Sequence, residues 1–422
     1  MRACGPVRGD ADNRPVDLHN DYFSGEVMFR KSIAASAVAA LVLAACGGNG
    51  SPAHTQVASQ LFAQTDDSTN AVVHFKRNAD GTLAVGTSIA TGGKGTGGVT
   101  FASGNTVGPD SLTGDNSVIV SSDQTRLFVT NAGDNTVSVF SIDTAGGDPK
   151  LLAVSPTGGV LPTSLGFANN VLYVTHQQGA NQLGAYRVGT DGKLTQIGSY
   201  PTVQADALPT QVTVSPDGKF VLVDVRSLGV TPTSGANATH IVYPVNGDGT
   251  LGTAVVSPTL GNGPFASRFG TGTLSRVAVT VEAVSNAISS YQLADSGALT
   301  GISGPLIVPG AGTPCWLALT PDNKFAYVGN GGGFISLYAI DASGHLTLVN
   351  GSAAAEPPAT AGGDSFAEDE WVSPDSKFLY QDYPGDDKIV AYSIGADGSL
   401  TKVGEQPART TSGITLQGLA GI

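Results

Sequence analysis

Ser215-Pro216-Asp217-Gly218-Lys219 is a tight turn between two short apolar strands, and it belongs to a unit that recurs seven times. After the second strand comes an apolar-aromatic one. It reads Val72-Val73-His74-Phe75, Val137-Ser138-Val139-Phe140, Leu183-Gly184-Ala185-Tyr186 and His240-Ile241-Val242-Tyr243. The last three copies are Ile288-Ser289-Ser290-Tyr291, Ile335-Ser336-Leu337-Tyr338 and Ile389-Val390-Ala391-Tyr392. Each is followed by a Gly turn and a Leu: Leu83, Leu151, Leu194, Leu251, Leu299, Leu346 and Leu400. The mean step is about 53 residues, within the range of four-stranded propeller blades. The pattern predicts an all-β chain folded as a seven-bladed β-propeller of four-stranded antiparallel blades.

The first repeat begins at Gln60-Leu61-Phe62-Ala63-Gln64 without the strand that precedes this point elsewhere. The chain ends on Gly413-Ile414-Thr415-Leu416-Gln417-Gly418-Leu419-Ala420, which is one strand too many. The tail is expected to pair with residues 61–65 and close the ring, leaving no open edge where the termini meet.

Composition narrows the function. The 422 residues include 57 Gly and 23 Pro, as expected of many strands joined by tight turns. The 21 Lys and Arg are scattered among 34 Asp and Glu, for a net charge of −13. That excludes a basic surface able to displace counterions from nucleic acid or to hold an anionic membrane by charge. Of three cysteines, Cys315 alone falls in the repeats, so neither a disulfide nor a Cys-x-x-Cys metal knuckle is expected there.

The N-terminus reads as a processing segment. Met28-Phe29-Arg30-Lys31 is a basic start, and Ser32 to Ala45 is an apolar run of about 14 residues, too short for a finished membrane helix. It ends in Leu43-Ala44-Ala45-Cys46-Gly47, which resembles a bacterial lipobox with Cys46 as the lipid-bearing residue. The expected organisation is an over-extended leader at 1–27, a lipoprotein signal at 28–45, a tether at 46–59 and a monomeric propeller at 60–422. The protein would then be exported and held at the cell envelope by acyl chains.

The inner strand of each blade starts, and the second strand ends, at the same mouth of the channel. Hand alignment places Thr65, Asn131, His176, Asp224, Glu282, Asn330 and Tyr383 at the second-strand ends, a ring of polar groups where a propeller builds a ligand site. Asn and Asp also satisfy turn backbone, so a structural role competes at Asn131 and Asn330. The inner-strand starts add Thr210, Phe265-Ala266, Cys315-Trp316 and Glu368-Asp369-Glu370. Trp316 is either a stacking platform or a core aromatic. The acidic triplet is either an acid/base or cation-holding group or a solvated loop.

Asn131-Ala132-Gly133-Asp134-Asn135-Thr136-Val137-Ser138-Val139-Phe140 and Ser215-Pro216-Asp217-Gly218-Lys219-Phe220 resemble the propeller-type lactonase family, which includes propeller 6-phosphogluconolactonase and carboxymuconate cyclase. The likeness spans about residues 60–420 and is nearest to an exported bacterial branch. It implies a site of one His, two Arg and one Glu around the mouth. Carried over residue by residue, these positions fall on Thr210, on Phe265 and Ala266, near His240, near Gly331 and on Glu282, so only the Glu is retained.

Two readings stand. In the first the chain is a lactone hydrolase without cofactor or metal, with Glu282 as base and His176, His240 or Arg226 as electrophilic partner. Asp224, Asn131, Asn330, Tyr383, Trp316 and Asp369 would bind a small-molecule lactone at the mouth. In the second the propeller is a non-catalytic envelope protein that binds a ligand, glycan or protein partner through the mouth or the loop 226–239, and an open apolar patch around Phe265 and Trp316 without convergent titratable groups would mark it.

Overall fold

A computed structural model describes residues 59–100, 106–202, 205–227, 239–308, 310, 312–359 and 363–422. The expected leader, the signal with Cys46 and most of the tether lie outside the described residues, as does most of the 226–239 loop.

Seven four-stranded antiparallel sheets form the blades. Their inner strands are Gln417–Gly421, Val118–Val120, Val160–Ala168, Leu208–Val214, Pro264–Phe269, Pro314–Leu319 and Glu370–Val372, for blades 1 to 7. Among the described residues the helical segments are two short 3-10 turns, Gly272–Leu274 and Pro384–Asp386. The ring closes as expected. Leu61 pairs with Gly421, Phe62 with Ala420 and Ala63 with Leu419, so the C-terminal strand is the inner strand of blade 1. Arg77 locks it, donating to the Ile422 carbonyl at 3.0 Å while its guanidinium stacks over Trp371 and Tyr380.

The Ser-Pro-Asp-Gly-Lys turn works through its side chains. Ser215 Oγ donates to Asp217 Oδ1 at 2.6 Å and accepts from the Phe220 N–H, while the Lys219 N–H donates to the same carboxylate. The fourth turn residue has positive φ: Gly218 at 67°, and also Gln124, Asn323 and Ser376 at 58–59° in blades 2, 6 and 7. The Asp-centred bonds hold that strained position without requiring Gly.

Every blade packs on its neighbours through its two faces, giving seven apolar cores, one per interface. Tyrosines of the second strands add hydrogen bonds across three of them: Tyr173 to the Gly249 carbonyl, Tyr327 to Gly398 and Tyr380 to Gly81.

Candidate functional site at the channel

Strand register decides what the polar ring does. Pro162, Pro209, Pro264 and Pro314 on four inner strands pair with His176, Val225, Glu282 and Asn330, and a β-bulge follows each. Proline is tolerated there because the inner strand has no partner on its channel side. In blade 4 the ring position is therefore Val225, and the expected Asp224 is one residue out of register. Side chains alternate along a strand, so that single step turns Asp224 to the opposite face.

The polar ring residues are buried and bonded within the protein. Asn131 bonds Asn70, Thr91, Thr136 and Ser138. Asn330 donates to the Val328 and Phe334 carbonyls, and Thr65 bonds Asn70. Tyr383 pairs with the Tyr392 hydroxyl. Glu282 accepts from the Gly261 N–H, the Ser289 hydroxyl at 2.8 Å and the Tyr291 hydroxyl at 2.5 Å, and it clamps the loop between blades 4 and 5. Burial pushes His176 down to about 4, against the opposing pull of the Gln182 backbone, so the ring stays neutral.

Asp224 and His240 face blade 5. Asp224 Oδ1 lies 3.2 Å from His240 Nε2 and accepts from Ser267 Oγ at 3.0 Å; Thr280 bonds both Ser267 and His240. The imidazole sits edge-on to Tyr291, 4.8 Å between centroids, and Tyr291 in turn bonds Glu282. Two expected candidates, His240 and Glu282, are thus brought to either side of one tyrosine. Both are 0% exposed, so the cluster is an inter-blade polar core without substrate access. Trp316 is 2% exposed and edge-on to Phe265 in the core of blades 5 and 6. The apolar patch expected around this pair is closed.

Arg226 is different. It follows Val225 at the mouth and is partly accessible, as is Asp110, from the loop that leads into blade 2. Burial of part of the Asp110 carboxyl raises it to about 7, against the opposing pull of the Arg226 guanidinium beside it. The fully buried Glu368 lies behind; its Oε2 accepts from Gln417 Nε2 at 2.8 Å, and burial, then the Asp110 charge, pushes it well above the carboxylate range.

Deeper in the channel the remaining carboxyls gather. Asp369 accepts from the Gly418 N–H at 2.9 Å, and Asp115 pairs with Arg268 at 2.8 Å. Burial raises Asp369, Glu370 and Asp382 well above their ordinary range, and the mutual charges of these groups and Asp115 raise them further. The acidic triplet is therefore no solvated loop. Asp110 and Asp115 escape a reading by repeats because their loop lies outside the repeated unit. Asp382 sits one residue before the ring position taken by Tyr383.

Residues 67–207 match the family described as "Lactonase, 7-bladed beta-propeller". No curated protein matches the chain in sequence. Among solved structures, a putative 6-phosphogluconolactonase from Bacteroides fragilis is 17% identical, with a TM-score of 0.63 over 88% of this chain and 100% of its own. Another from Bacteroides uniformis is 16% identical, with a TM-score of 0.66 over 87% and 100%. The periplasmic gluconolactonase of Pseudomonas aeruginosa is 16% identical, with a TM-score of 0.63 over 86% and 99%. At such identities these structures speak for the fold alone. Residues 67–207 are thus similar in sequence to the propeller lactonase family, and the seven blades closed by the C-terminal strand have the fold of these structures.

Proposed function

We propose that the chain is a lactone hydrolase acting at the channel mouth, with Asp110 as general base and Arg226 as the cation that holds the developing oxyanion. The observation that carries this is a partly exposed Asp110 whose carboxyl burial raises to about 7, with the charge of a partly exposed Arg226 opposing that rise. A base titrating near neutrality is suited to taking a proton from water. The water oxygen bonds to the lactone carbonyl carbon as Asp110 accepts its proton. Arg226 balances the charge on the carbonyl oxygen. The ring C–O bond then breaks, and the leaving alkoxide recovers the proton from Asp110. The product is an open hydroxy acid whose carboxyl proton passes to solvent, leaving a carboxylate opposite Arg226. Burial, and then the Asp110 charge, keeps Glu368 protonated behind the site.

In this reading Arg226 keeps the role expected from sequence, while Glu282, His176 and His240 hold blades together. The burial of Phe265 and Trp316 removes the apolar patch that would have favoured the non-catalytic alternative. Sugar lactones, their phosphorylated forms and homoserine lactones are to be screened by acid release. Asp110→Asn is expected to cut turnover by about 10²-fold or more, and Arg226→Met likewise. Turnover unchanged in both variants overturns the assignment.

The Leu43–Gly47 lipobox supports an exported protein anchored through Cys46. Labelled palmitate incorporated by the wild type and lost in Cys46→Ser is the expected result; equal labelling refutes it.

A further inference from the structure

Asp110 is carried by the connection between blades 1 and 2, and residues 110–116 of it run along the inner strands of blades 3 and 4. The Asp115 N–H donates to the Thr210 carbonyl at 3.0 Å, and the Asn116 carbonyl accepts from the Leu165 N–H at 2.9 Å. Leu112 is buried and packs with Ala132 and Leu161. The backbone of this segment is strained: Asp110, Thr113 and Asn116 have positive φ, at 54°, 48° and 65°. A β-branched residue such as Thr113 keeps that conformation only where its surroundings impose it.

Gln177 supplies the constraint. It lies near the end of the second strand of blade 3, Val171–Gln178, and is buried. Its Nε2 donates to the Leu112 carbonyl at 2.6 Å and to the Thr113 carbonyl at 3.0 Å. Those carbonyls belong to the two peptide groups that carry the Thr113 and Gly114 N–H groups. In a planar trans peptide the C=O and N–H point opposite ways, so fixing the oxygen fixes the direction of the hydrogen. The Thr113 N–H turns back on the Asp110 carbonyl at 3.3 Å and closes the turn. Burial raises the Asp110 carboxyl to about 7; the Arg226 charge, then the N–H groups of Thr113 and Gly114, oppose that rise. Hydrogen bonds from Gln177 polarise the same two peptides and strengthen them as donors.

We propose that Gln177 is a positioning residue for Asp110, acting through the peptide groups 112–113 and 113–114 to hold the turn that presents the carboxyl at the mouth. Its part in turnover rests on the reading of Asp110 as the base. Arg226 from blade 4 and Glu368 from the approach to blade 7 are the charged and titratable side chains that face Asp110. Both are kept in a Gln177 variant, so a change in the Asp110 titration reports on the turn.

Gln177→Met keeps the length of the side chain and removes its donors. The anchors at Leu112 and Asp115 remain, so the fold should hold. Carboxyl carbon-13 NMR of the purified protein, with Asp110→Asn to assign the signal, should show Asp110 titrating about one pH unit higher in the variant, the effect of losing an oriented hydrogen bond to a charged group. The acid limb of kcat/KM should move up by the same interval, with KM unchanged and kcat/KM at pH 7 roughly fivefold lower. Gln182→Met removes a similar buried amide, whose Nε2 donates to the Ala207 carbonyl at 2.6 Å, and should leave the Asp110 titration in place. An unmoved titration in folded Gln177→Met, or an equal shift in Gln182→Met, overturns the proposal, even where Asp110→Asn abolishes turnover and so upholds the hydrolase reading. A titration that shifts only in Gln177→Met, in a protein that hydrolyses no lactone, upholds the coupling of Gln177 to Asp110 and refutes the hydrolase reading. Should Gln177→Met fail to fold, Gln177→Asn, whose amide falls one methylene short of both carbonyls, takes its place.

Discussion

Arg268 on the inner strand of blade 5 reaches across the channel to Asp115, 153 residues earlier and ahead of blade 2, and closes an ion pair of 2.8 Å. It is a strut between non-adjacent blades. Its two ends are unequal. Arg268 opposes the charge of Asp369 and Glu370, whereas Asp115 adds to it. Arg268→Met should therefore cost about 3 kcal/mol, the low end for a broken buried pair. Asp115→Asn should cost less, since it also relieves repulsion. Urea unfolding of both variants checks the order; equal losses would mean that the carboxyls do not sense one another.

The channel acids set a pH dependence. Asp369, Glu370 and Asp382 have folded-state pKa values raised above the unfolded ones, and Asp110 is raised from 3.8 to about 7. An acid raised in this way binds more protons folded than unfolded, so stability is full below the unfolded pKa and falls as pH rises through the folded one. For Asp110 the window is about pH 4 to 7. Glu370→Gln should gain stability relative to wild type at pH 8 and not at pH 4. Thermal melts at the two values decide it, and a uniform offset would count against protonated acids in the channel.

His176 titrates in the opposite sense. Its folded pKa is lowered from 6.5 to about 4, so its contribution is present above 6.5 and fades as pH falls toward 4. His176→Gln should flatten the acid limb of the stability curve in that interval. A limb of unchanged slope would show the imidazole to be solvated.

Tyr291→Phe removes the shortest bond to Glu282 and leaves a buried carboxylate with one donor fewer. The expected cost is about 1.5–3 kcal/mol. Lactone turnover at the mouth should persist once the variant is assayed well below its melting temperature. Loss of turnover at full stability would return Glu282 to the catalytic role expected from sequence.

Deleting 413–422 removes the inner strand of blade 1 and exposes Leu61 and Phe62 along a bare edge. The truncated chain should lose its cooperative melt and self-associate. A truncation that melts like the intact chain would mean that closure contributes little.

The quartets ending in Phe75, Tyr243 or Tyr392 were readable because a strand and its turn are encoded within a dozen adjacent residues. The tail was readable because a propeller missing one strand at the start and carrying one extra at the end has a single way to close. Asp369 was named at the mouth because it leads into an inner strand whose direction the repeat implies. Sequence polarity favoured Asp224 over Val225 at the ring position, but pairing with Pro209 places Val225 there.

Local pattern by itself thus determined the seven blades, their strand order and the closing partner, since each depends on residues near in sequence. Only the tertiary structure decided which polar groups are sealed between blades and which line the channel. Asp110, Asp115, Arg226, Arg268, Glu368 and Asp382 come from separate blades and loops, and their burial and mutual charge exist only once the ring has closed.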